Sequence, residues 1–103
     1  CAMELAKDVF GEYTFRKLDD FPRKKPFNKA LFEVWSVLFA KLSEEDREKI
    51  RSNGAELMVA AESLMKTDQL FLGSITVSTG SKANVNERFS KINSIINEVL
   101  SKC

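Results

Sequence analysis

The run from Asn28 to Leu42, NKALFEVWSVLFAKL, constrains the fold more than any other stretch of this chain. Wound as a helix, it places Ala30, Leu31, Phe32, Val34, Trp35, Val37, Leu38, Phe39, Ala40 and Leu42 around nearly its whole circumference, a pattern that calls for a central, buried helix. Asn28 is a good N-cap. Phe27, just before the cap, is placed to staple onto Phe32 one turn in.

The flanking segments read as further helices around that one. Met3, Leu5, Ala6, Val9 and Phe10 recur at helical spacing, and Gly11 is a plausible terminator. Residues 12–27 carry Tyr13, Phe15, Phe21 and Phe27 among charges, with Pro22 and Pro26 barring a regular helix, so they form an irregular, aromatic-pinned connection. Ser43 with Asp46 resembles a capping box that opens a charged turn, EEDREK, before Asn53-Gly54 interrupts the pattern. Leu57, Met58, Ala61, Leu64 and Met65 then mark a helix over 55–66. Thr67 or Asp68 can cap a helix over 68–78, and STGSKAN at 78–84 is the clearest loop. Asn84 with Glu87 suggests the start of the last helix, whose buried stripe is Val85, Phe89, Ile92, Ile96 and Val99.

With 103 residues there is room for one domain and one core. The expectation is therefore an all-α, single-domain bundle of about five helices spanning residues 1–103, with an irregular aromatic and basic connection near the N-terminus. Because the sequence opens on Cys1 in place of Met, it reads as a piece of a longer protein. No uncharged apolar run reaches membrane-spanning length, so no membrane partner is expected, and the chain reads as cytoplasmic.

Composition narrows the chemistry. The chain has no histidine, which removes a Ser-His-Asp triad, a Cys-His pair and an HNH-type nuclease centre. Its two cysteines, Cys1 and Cys103, sit at opposite ends, which leaves no thiol cluster for zinc; they would pair only if folding brought the termini together in an oxidising compartment. No cofactor is expected. A net charge of +1 argues against a generic polyanion binder while permitting a local basic patch.

Such a patch is visible. Arg16, Lys17, Arg23, Lys24, Lys25 and Lys29 fall within fourteen residues, offset by Asp19 and Asp20 and flanked by Phe21 and Phe27. They are candidates for phosphate contact, with aromatics stacking or packing nearby; the alternative is a solvated loop whose phenylalanines plug the core. A second candidate is Ser78, Thr79, Ser81 and Lys82 ahead of a helix N-terminus, where free N–H groups and the helix dipole favour an anion, although the spacing is not that of a nucleotide-binding P-loop. Arg88, one turn on, would point to the same anion or pair with a carboxylate. Glu44, Glu45, Asp46 and Glu48 alternate with Arg47, Lys49 and Arg51, the pattern of an exposed, salt-bridged helix start and not of an acid–base centre.

Taken in order, FGEYTFRK, FNKALFE, a charged helix pair and FLGSITVSTGSKANVNERFSKI resemble, over about residues 9–100, the helical region of one prokaryotic family. That family is the GmrS-like, DGQQR-motif group, whose ParB/sulfiredoxin-like nuclease domain occurs in GmrSD-type restriction systems and other phage-defence proteins. The resemblance is carried by Phe15-Arg16, by Asn28 to Glu33 and by the small-residue loop that leads to Arg88-Phe89. The DGQQR motif itself is absent, as is the histidine-metal nuclease domain, so no catalytic residue carries over.

What the resemblance implies is a non-catalytic helical module that accompanies a nuclease-like domain, its partner being the remainder of the parent protein. Double-stranded DNA is the second expected partner, through Arg16, Arg23, Lys24, Lys25, Lys29, Lys82 and Arg88. The rival expectation is a protein-interaction or structural subdomain with no nucleic-acid contact.

Overall fold

Six α-helices follow one another in the computed structural model, which describes residues 2–18, 23 and 25–102. They are α1 (Ala2–Phe10), α2 (Lys29–Ala40), α3 (Glu44–Ser52), α4 (Gly54–Thr67), α5 (Gln69–Ser74) and α6 (Lys82–Ser101), with a 3-10 turn at Gly11–Tyr13. Among the described residues there is no strand, only an isolated antiparallel bridge between Arg16 and Phe27. The fold is all-α, and the helix beyond the expected five is α3. The stretch expected as a charged turn winds up because Ser43 Oγ accepts the Asp46 N–H at 3.1 Å and acids fill its first turn, where the helix dipole favours them.

The caps at Gly11 and Asn28 are as the sequence suggested. Gly11 has φ of +56°, a left-handed conformation that closes α1 and that a side chain would strain. Asn28 Oδ1 accepts the Leu31 N–H at 2.9 Å, and the rings of Phe27 and Phe32 lie 5.8 Å apart, forming the staple. Asn53 ends α3, and Gly54 begins α4 with no loop between. Asp68 Oδ1 then accepts the Phe71 N–H at 3.0 Å and starts α5.

Three details differ. The helix expected over 68–78 stops at Ser74, and the chain turns through Ser78, which has φ of +48°. Helix α6 begins three residues earlier than Asn84 suggested: Ser81 Oγ accepts the Asn84 N–H, while Asn84 Nδ2 donates back to the carbonyls of Val77 and Ser78. Asn84 therefore staples the loop instead of capping the helix.

The third difference concerns α2. It buries Ala30, Leu31, Val34, Trp35 and Phe39, but leaves Val37 37% exposed and Phe32 and Leu38 only partly covered. The helix packs on α1 and α6. Trp35 anchors the core between Phe10, at 4.8 Å between ring centroids, and Phe39, at 5.2 Å. Around this aromatic column lie Leu5 and Val9 of α1, Ile50 of α3, Leu57, Ala61 and Met65 of α4, Phe71 of α5, and Ile92, Ile96 and Val99 of α6.

Candidate nucleic-acid interface

The connection between α1 and α2 folds back against the loop between α5 and α6, and this meeting point collects the basic residues. Its anchor is Phe15, 5% exposed and with φ of +58°, a conformation that costs a bulky residue about 1–2 kcal/mol. Packing holds it there: the Phe15 ring lies 5.1 Å from Phe32 and 6.0 Å from Phe27, in edge-on arrangements. The Phe15 carbonyl also accepts the Asn28 N–H at 2.7 Å.

Cross-links then tie this connection to the far side of the bundle. Asn28 Nδ2 donates to the Ile75 carbonyl at 2.8 Å, Lys17 Nζ to Thr76 Oγ1 at 3.3 Å, and the Leu18 N–H to the Met65 thioether at 2.9 Å. Arg16 is half-buried, and its Nη1 donates to the carbonyl of Lys25. The Arg16 guanidinium therefore folds the connection on itself while leaving part of its charge at the surface.

The remaining candidates fall in three groups. Arg23, Lys29 and Lys82 are exposed, and Lys25 is half-buried. Lys24, with Asp19, Asp20, Phe21 and Pro22, lies outside the described residues, as do Cys1 and Cys103. Arg88 differs from all of these: its side chain is 3% exposed, and Nη1 donates to the carbonyls of Ser74 at 3.1 Å and Thr79 at 2.7 Å. It pins the α5–α6 loop to α6, so it is not a surface residue. Its sequence position carries that signal, because Arg88 stands four residues before Ile92 and in register with Ile96 and Val99 on the buried stripe.

Lys29 and Arg88 nevertheless meet. With Ala30, Glu33, Thr79 and Gly80 they line a cleft of about 220 Å³ between the start of α2 and the α5–α6 loop. Glu33, which sequence reading left out of the site, brings its Oε1 to 3.6 Å from Arg88 Nη2. Ser81, expected as an anion contact, has its hydroxyl engaged by the Asn84 N–H.

Away from this end, charges are largely matched internally. Arg51 bridges Asp8 at 2.9 Å and Glu48, and the hydrogen bond that it donates to Asp8 leads in holding its pKa above the usual arginine value. Lys49 reaches Glu45 at 3.6 Å, so the acidic run of α3 forms the expected salt-bridged face. Asp68 is held below the usual carboxylate range, first by the Phe71 N–H and then by Lys91, 3.1 Å away. Among the described residues no three His, Cys, Asp or Glu side chains are grouped to hold a metal ion.

A second surface lies on the opposite character of the molecule. Ala55, Val59, Ala60 and Ser63 of α4 and Ile95 and Val99 of α6 line a groove of about 490 Å³, in which Val59 is 65% exposed. Nothing in the sequence periodicity singled it out.

The fold and its surfaces thus define an all-α domain with a basic end and an apolar groove. Compared with protein-family models, curated proteins and solved structures, the chain matches none. Among the described residues no helix is long and apolar enough to cross a membrane.

Proposed function

We propose that this chain is a non-catalytic helical accessory module of a restriction or phage-defence nuclease of the cytoplasm, with its basic end turned towards double-stranded DNA and the rest of it supporting a nuclease-like domain. The restriction assignment rests on the motif resemblance. The DNA-facing part rests on one observation: Arg16 and Lys25 are joined directly on the α1–α2 connection, Lys29 follows at the first position of α2, and the connection is cross-linked to the α5–α6 loop that leads to Lys82. Cations held on a preformed surface neutralise backbone phosphates and release counterions, whatever the base sequence.

Fluorescence anisotropy with a labelled duplex at two salt concentrations tests this. Affinity should fall steeply with salt, and Lys24→Gln with Lys25→Gln should both weaken binding and flatten the slope by roughly one unit per lost phosphate contact. Absence of binding at low salt would remove DNA from the reading.

The α4–α6 groove supports a second reading, a protein-interaction module. An apolar groove flanked by Glu56, Glu98 and Lys102 has the character of a helix-docking surface. Under that reading duplex binding is absent, and Val59→Glu weakens association with the nuclease-like domain.

A further inference from the structure

Arg88 presents five N–H donors to its surroundings, and only part of that capacity is used. Nη1 meets the carbonyls of Ser74 and Thr79. Nε is buried without a hydrogen-bond partner, and Nη2 faces Glu33 Oε1 at 3.6 Å, beyond hydrogen-bond distance. A buried, unsatisfied N–H on a cation calls for an explanation, since leaving it unmade is costly. Nε–H and the adjacent Nη2–H point the same way, forming the side edge of the guanidinium that takes two oxygens of a carboxylate or phosphate at once.

That edge belongs to a residue lining the cleft described above, and three further features there favour an incoming oxyanion. Lys29, exposed and at the first position of α2, adds a second cation to the lining. The first N–H groups of α2 lack intrahelical acceptors by their position; Asn28 takes that of Leu31 through its side chain and that of Phe32 through its carbonyl, which leaves those of Lys29 and Ala30 at the start of the helix. Glu33, the single acid in the lining, is 52% exposed at its side chain and makes no close hydrogen bond to Arg88, so it can swing outward.

We propose that this cleft binds one phosphate group, gripped by the free edge of Arg88 and by Lys29, in the place where the Glu33 carboxylate now stands in for it. Glu33 acts as an internal competitor that keeps the Arg88 charge covered when the cleft is empty of phosphate. The site goes beyond general attraction of a duplex, and it does not require that attraction to exist.

Nitrogen-edited NMR of the whole chain, following the Arg88 Nε–H and the Ala30 amide at constant ionic strength, tests it. The probes are inorganic phosphate, a 5′-phosphorylated dinucleotide and the same dinucleotide without its 5′ phosphate. Saturable shifts are expected with at least one of them. A response confined to inorganic phosphate assigns the site to free phosphate, one that extends to the phosphorylated dinucleotide assigns it to a terminal phosphate, and one shared by all three assigns it to a backbone phosphodiester.

Glu33→Gln should tighten binding and Lys29→Gln should weaken it, each by roughly two- to fivefold, the size of a half-exposed charge interaction. Both substitutions leave the Arg88 bonds to Ser74 and Thr79 in place, so the domain stays folded. Shifts that rise linearly for every probe, as chloride alone produces, would overturn the proposal. So would saturable shifts that neither substitution changes. Because Lys25 is not among the residues that line this cleft, loss of duplex binding in Lys25→Gln with the phosphate response intact separates this site from the duplex reading.

Discussion

Asn28 donates through Nδ2 to the carbonyl of Ile75 at 2.8 Å, joining the start of α2 to the end of α5. The other end of the same amide caps α2 by accepting the Leu31 N–H, so one side chain closes a local and a long-range link. Asp can keep the cap but cannot donate. Asn28→Asp should therefore cost about 1 kcal/mol and Asn28→Ala about 2–3 kcal/mol, as read from urea unfolding midpoints. Equal losses would mean that the Leu31 cap contributes nothing, and no loss in Asn28→Asp would mean that the Ile75 contact contributes nothing.

Trp35 and Phe39 belong to the aromatic column, 2% and 0% exposed, whereas Val37 on the same helix is 37% exposed. Truncation of either aromatic to Ala should destabilise the fold by about 3–5 kcal/mol through lost burial and a residual cavity. Val37→Ala should cost less than about 1 kcal/mol. Thermal or chemical denaturation of the three variants checks the ranking.

Asp68 should contribute to acid sensitivity. Its folded-state pKa lies below the ordinary value, through the Phe71 N–H first and Lys91 second, so it contributes stability above the unfolded carboxylate pKa that is lost as pH falls through the folded one. Asp68→Asn, which retains an oxygen for the Phe71 cap, should show a smaller drop in stability between about pH 6 and about pH 2 than the parent chain. Lys91→Met should reduce that drop only in part, because the amide contribution survives. Lys91 itself, raised by Asp68, contributes stability below its unfolded pKa that disappears as alkaline pH passes its folded value.

Two glycines should respond oppositely to alanine. Gly11 has open space around a new Cβ but sits at φ of +56°, so Gly11→Ala should cost about 1 kcal/mol from backbone strain alone. Gly73 lies within α5 with equal space and no such φ, so Gly73→Ala should stabilise by about 0.4–1 kcal/mol. Unfolding midpoints of the pair check the sign of each.

The elements most legible in the sequence were those in which a cap, a stop and an apolar period agreed. Phe27, Asn28 and Phe32 specify where α2 begins from adjacent residues alone, and the stripe through Ile92, Ile96 and Val99 specifies the buried face of α6. Ser81 and Asn84 were harder, because both are competent caps and only the carbonyls of Val77 and Ser78, brought near by the turn after α5, decide between them. The basic residues are visible as a cluster, and the register of Arg88 with Ile92 marks it for the buried face, but whether it stands there as a bonded cross-link or is displaced to the surface is not marked. That distinction depends on carbonyls of Ser74 and Thr79, fourteen and nine residues from Arg88, and backbone acceptors carry no side-chain signature. The α4–α6 groove was invisible for a related reason: it is defined by what two helices leave uncovered between them.

The bridge between Arg16 and Phe27, with the Arg16 guanidinium on the Lys25 carbonyl, has a consequence for recognition kinetics and thermodynamics. Side chains carried on a free tether lose freedom at the moment they meet a partner, and that loss subtracts from affinity. Here the backbone at both ends of the strap is already fixed when the domain folds, so the penalty falls on folding and not on encounter. A partner meeting Arg16 and Lys25 would find the backbone there set in advance, and variants that loosen these two ends should slow productive association without removing a single charge.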